Sequence, residues 1–177
     1  MNNTSNLIRL AIIFGFALLL QIIVFDNVDF LGLCNPFFYV VFLISVPVGC
    51  PTALFMVMAF ALGFAVDLSA NTPGMHAAAC VLVAYLRQFI LKFLAFRSAY
   101  KDDDMPDLHV YGSLWFFKFM LALVSIHHVA LFLIEQYDSF FFLPTLIRTF
   151  LSIIATSICI ILFELAAPRL DSSSSFN

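Results

Sequence analysis

Charge is what this sequence has least of. Eight Lys and Arg and eleven Asp and Glu make up 11% of 177 residues, where a water-soluble domain carries about a quarter. The basic residues are scattered singly, so no patch is formed that could hold a nucleic-acid backbone. Cysteine is scarce too. Cys34, Cys50, Cys80 and Cys159 lack the CxxC spacing of a metal or redox site and read as small apolar side chains. Catalytic motifs are missing: there is no GxSxG, no HExxH and no paired acid with a base nearby. No enzyme and no cofactor are expected. Heptads and internal repeats are absent. The first apolar run has no small-x-small cleavage site after it, so it is read as a retained helix.

What is present is hydrophobic mass. Apolar residues are 63% of the chain, and the mean hydropathy is +1.06. A chain of this length cannot hide that much apolar surface from water, whereas a bilayer can solvate it. The runs are apolar all round rather than alternating, which favours helices over a barrel. The expected fold class is an all-α integral membrane protein with six transmembrane helices in one domain, residues 1–170, followed by a disordered serine-rich tail, 171–177. The spans fall at about 7–25, 37–48, 52–68, 74–96, 114–134 and 141–165. The second is short for a crossing and is bracketed by Asn35-Pro36 and Pro47.

Six crossings place both termini on one side. Arg9, Lys92, Arg97, Lys101, Lys118 and Arg169 then gather at one face, with Arg87 deeper but directed toward it. The opposite loops, 26–36, 68–74 and 135–139, hold no Lys or Arg but carry Asp26, Asp29, Glu135 and Asp138. Positive charge stays inside, so both termini are expected in the cytoplasm.

The densest polar information lies between Gly63 and Arg87. An apolar helix pattern ends on Asp67, a turn follows through Ser69-Ala70-Asn71-Thr72-Pro73-Gly74, and a second apolar pattern starts at Met75. Pro73-Gly74 signals the turn. A carboxylate here is costly unless wet or paired. Asp67 therefore either meets water at the interface or pairs with Arg148, whose candidate partners are Asp67, Glu135 and Asp138. Small residues mark expected close-packing faces for a partner helix: Ala11 and Gly15, then Ala59 and Ala77. His76 reads as interfacial. His127-His128 are adjacent, point about 100° apart and cannot easily share one ion, so no metal is expected and a polar contact inside the bundle is. Asp102-Asp103-Asp104 lacks the alternation of an EF-hand and reads as a solvated acidic patch. Ser152, Thr156 and Ser157 read as ordinary helix hydroxyls.

Asn35-Pro36, Pro47 and the pattern Gly63-x3-Asp67-x5-Pro73-Gly74-x2-Ala77 resemble the MreD family of rod shape-determining proteins. The TPGMHAAA version with an arginine after it is similar to Bacteroidetes-type members. Many members carry an apolar residue between the proline and the glycine, so the turn here is tighter or shifted. The resemblance covers nearly the whole chain and carries the family's aspartate and glycine onto Asp67 and Gly74. It implies a non-enzymatic inner-membrane component of the cell-wall elongation machinery. Such a component binds an MreC-type bitopic protein and, through it, RodA, a class B penicillin-binding protein and MreB. It also implies a fold similar to the S components of energy-coupling-factor transporters. The alternative function is therefore a substrate-binding S component with an outward cavity.

Overall fold

A computed structural model describes residues 3–27, 34–94, 101, 104–135 and 142–166. The elements are α1 (Asn3–Ile23) with a 3-10 turn (Phe25–Asn27), α2 (Val40–Ser45), α3 (Thr52–Ala70), α4 (Met75–Leu94), α5 (Leu108–Tyr111), α6 (Ser113–Glu135) and α7 (Phe142–Ala166). The tail 171–177, Asp29, Asp102, Asp103, Asp138, Arg97 and Arg169 lie outside the described residues.

Five of these helices are long and apolar enough to cross a membrane. Nineteen residues in α3 rise about 28 Å, close to the thickness of a hydrocarbon core. The helices pack in sequence: α3 lies along α4, α4 along α6, and α6 along α7, with α1 against α2 and α3. Their outer faces are apolar. Ile12, Phe16, Leu54, Phe93, Phe150 and Leu162 are all exposed. An apolar exterior around the whole bundle is stable in lipid and not in water, so the chain is built to span a membrane.

The second expected span takes an unexpected form. Only six residues of it are α-helical, and Val40 to Ile44 are at most 1% exposed. Pro47 explains the early stop. It disfavours the helical region at the residue before it, and Val46 is extended at φ −62°, ψ 135°. Residues 36–44 are all buried, so this part of the segment threads the bundle interior. Asn35 and Pro36 meet α7 and α1 beside Asp26 and Arg148. At the other end Val48 N–H donates to Asp104 O at 2.9 Å, near the Arg9–Asp107 ion pair at 3.9 Å. The bundle thus has an Asp67 end and an Arg9 end, and residues 35–48 run between them.

Candidate functional site

The α3–α4 hairpin is built around one carboxylate. Asp67 and Gly63 are one helical turn apart, on the face of α3 that meets α4. The chain leaves α3 through Asn71 in the left-handed region, φ 54°, whose backbone N–H donates to Asp67 O. Thr72 N–H donates to the same carbonyl at 3.0 Å. Gly74, at φ 85°, turns the chain back. A residue in that conformation cannot continue a helix, so α4 starts at Met75 and the tight Pro73-Gly74 pair lies just outside it.

The first turn of α4 has orphan N–H groups, as every helix start does. Asp67 supplies the acceptor. Its Oδ1 accepts from His76 N at 3.1 Å and from the Thr72 hydroxyl, and its Oδ2 accepts from Ala77 N at 2.9 Å. Asp67 is 3% exposed, and its carboxylate sits where the helix dipole is positive. Of the two readings open for Asp67, interfacial hydration and pairing with Arg148, neither describes it; it is a buried cap supplied by the neighbouring helix.

Arg148 pairs instead with Glu135, Nη1 to Oε1 at 3.3 Å. With the Asn35 amide oriented to satisfy both its ends, its oxygen also accepts from Arg148 Nη2 at 2.6 Å. The guanidinium lies over the Phe132 ring at 5.1 Å. Two of the small-residue candidates need correction. Ala59 and Ala77 are 0% and 3% exposed, because this chain's own helices cover them. A Cβ on Gly63 would lie 2.5 Å from Ala77 Cα, so the close approach is internal to the hairpin. Ala11 is exposed, and nothing lies within 4 Å of where a Gly15 Cβ would be.

The threaded segment needs hydrogen-bond partners, since backbone at membrane depth cannot turn to water. Side chains provide them. Asn35 N donates to Ser152 Oγ at 2.8 Å, Phe37 N to Thr156 Oγ1 at 2.9 Å and Phe38 N to Gln21 Oε1 at 2.8 Å. Ser152 and Thr156 therefore are more than ordinary helix hydroxyls. Their i, i+4 spacing was the available signal: it places them on one face of α7. At the far end Arg87, 2% exposed, donates to the carbonyls of Val46 and Pro47. It is flanked by Phe55 at 5.0 Å and Phe119 at 5.6 Å.

Tyr39 carries the polar centre. Its hydroxyl lies 2.7 Å from His76 Nδ1 and 2.8 Å from His127 Nε2. His76 is 6% exposed, so its expected interfacial position is corrected to a buried one. His128 faces elsewhere, with Nδ1 on Val124 O at 2.9 Å and Nε2 on Thr156 Oγ1 at 3.0 Å. The adjacent histidines thus serve two separate polar contacts inside the bundle.

Above this centre, at the Asp67 end, is a cavity of about 830 Å³. Gln21, Asp26, Asn35, Ser69, His76, Glu135 and Arg148 contribute polar groups to it, and Phe25, Phe37, Met75 and Leu131 contribute apolar ones. Asp26 accepts from Gln21 Nε2 at 2.8 Å and from Ser69 Oγ at 3.3 Å. A second concavity, also about 830 Å³, is apolar and opens on the outer face of α3 and α4, between Met56, Phe60, Phe64, Val81, Leu82 and Tyr85. No protein family, curated protein or solved structure matches the chain.

Proposed function

We propose that this chain is a non-enzymatic, MreD-like scaffold of the cell-wall elongation complex in a bacterial inner membrane. It binds an MreC-type bitopic protein and, through it, RodA, a class B penicillin-binding protein and MreB, and so helps control cell shape. The observation that carries this reading is the hairpin. Gly63, Asp67, Gly74 and Ala77, on which the resemblance rests, are not independent turn residues but parts of one interlocked unit. The apolar concavity on α3 and α4 supports a helix-docking role, and the exposed Ala11/Gly15 step offers a second face.

The proposed topology has six crossings with both termini cytoplasmic. It is supported by the run of residues 35–48 between the two ends of the bundle and by the acids collected at the Asp67 end. Cys34 and Cys50 flank that run, so thiol labelling reads the topology directly. In single-cysteine variants, a membrane-impermeant maleimide added to intact spheroplasts should label Cys34 and leave Cys50 unlabelled until the membrane is opened. Burial pushes both thiols up from their ordinary value. Thiolate is the reactive form, so labelling should be slow at neutral pH and quicken as pH rises. Labelling of both from outside would remove the sixth crossing.

The scaffold reading is tested by mild-detergent capture of the tagged chain from its own host. An MreC-type single-span protein arriving with elongation synthases is the expected result. A transporter ATPase pair with its coupling subunit would replace this reading with the second one, a substrate-binding S component. The observation favouring that alternative is the polar cavity at the Asp67 end, whose volume lies in the range of small-molecule sites.

A further inference from the structure

The cavity at the Asp67 end has unused hydrogen-bonding capacity of a definite kind. His76 lines it and spends Nδ1 on Tyr39; its Nε2 has no partner among the described residues. Arg148 also lines it. Its Nη1 and Nη2 are engaged by Glu135 and Asn35, while Nε is buried and has no partner among the described residues.

The Tyr39 network determines what His76 offers. A tyrosine hydroxyl has one proton, so one of the two ring nitrogens it meets donates and the other accepts. His127 Nδ1 is buried and has no partner among the described residues. A buried bare acceptor is tolerated better than an orphaned N–H, which places the His127 proton on Nε2, donating to Tyr39. Tyr39 then donates to His76 Nδ1, and His76 carries its proton on Nε2. These positions are assigned from the network. His76 therefore presents an N–H donor to the cavity, which the Arg148 side chain also lines.

The α1 wall is the opposite in character. Among the described residues the Asp26 carboxylate accepts only from the neutral groups of Gln21 and Ser69, and forms no ion pair with a cation. One wall is thus a receptor for an oxyanion and another holds an uncompensated carboxylate. A lone anion would be repelled by Asp26, and a lone cation would leave the His76 donor unsatisfied.

We infer that this cavity binds a zwitterionic head, an ammonium joined by a short linker to an oxyanion. The oxyanion meets His76 Nε2 and the Arg148 guanidinium, and the ammonium meets Asp26. The remaining volume, beside Ile22, Phe25, Met75 and Leu131, accommodates an apolar body or water. A free small molecule and the headgroup of an ethanolamine phospholipid share this chemistry. The inference goes beyond the scaffold reading and names the ligand class for the same cavity that favours the S-component reading.

The test is thermal unfolding of the full purified chain, in detergent with soluble probes and in nanodiscs with lipid ones. O-phosphoethanolamine or glycine should raise the melting temperature saturably, and inorganic phosphate or ethanolamine alone should not. If the soluble probes are silent and phosphatidylethanolamine discs stabilise more than phosphatidylcholine discs, the source is the lipid. A trimethylated head cannot donate hydrogen bonds to Asp26, which is why choline is the control. Asp26→Asn and Arg148→Gln should each weaken the response at least tenfold; either serves if the other fails to fold. The inference is overturned if no ethanolamine or amino-acid head, soluble or lipid-borne, outperforms its choline counterpart, or if the folded variants respond like the parent. Capture of an MreC-type partner beside a silent titration would sink this inference alone and leave the scaffold reading standing.

Discussion

Asp67→Asn is expected to destabilise the detergent-solubilised protein by about 3 kcal/mol, in line with losing charge-assisted bonds and stranding a buried donor. The replacement is nearly isosteric, so packing is kept and only hydrogen-bond chemistry changes. If the new amide nitrogen faces Ala77, it meets a backbone N–H; if it faces the other way, it meets the His76 N–H. Thr72 can rotate its hydroxyl to suit, but the backbone donors cannot. Either orientation leaves a donor facing a donor, and the charge at the start of α4 is gone. Thermal unfolding and limited proteolysis at residues 71–74 are the measurements. A melting temperature equal to the parent's would show that the cap contributes nothing.

Gly63→Ala tests the same hairpin through sterics. The added Cβ would stand 2.5 Å from Ala77 Cα, 2.6 Å from Ala77 N and 2.6 Å from His76 O. All of these are backbone atoms, so no side chain can swing aside. α3 and α4 must separate, and separation draws Asp67 away from the N–H groups it caps. The expected loss is about 3 kcal/mol, at the upper end of overpacking costs. Because both substitutions break one unit, the double variant should lose clearly less than the sum. Gly15→Ala is the control. Nothing lies within 4 Å of its Cβ position, so it should be neutral or gain up to about 1 kcal/mol of helix propensity. Additive losses from Gly63→Ala and Asp67→Asn would mean that the close approach and the cap are independent features.

Local spacing made this hairpin legible. Gly63 and Asp67 share a helix face by their separation alone, and Asn71 through Gly74 carry turn chemistry that needs no tertiary information. The partner of Asp67 was another matter. An acid at a helix end suggests water or a cation, and only the arrangement of α3 against α4 puts two backbone N–H groups within reach. Arg148 shows the same limit, since Asp67, Glu135 and Asp138 were all open to it until the ends of α6 and α7 were placed. Alanine positions misled for a related reason. A small residue marks a close approach without saying whether the approaching backbone belongs to this chain or another. That is how Ala59 and Ala77 came to look like partner faces.

By itself the sequence determined the class of the protein, the long helices and the α3–α4 turn. Hydropathy is a sum over residues, and helix starts and stops are set within a turn or two of chain. Tertiary structure alone decided the course of residues 35–48, the Tyr39 centre and the cavity above it. Tyr39 finds its partners at His76 and His127, and Phe37 finds Thr156, 119 residues away. In a chain this apolar, a buried polar group must find another polar group or remain unsatisfied. Which one it finds depends on how the bundle closes, and no local pattern records that.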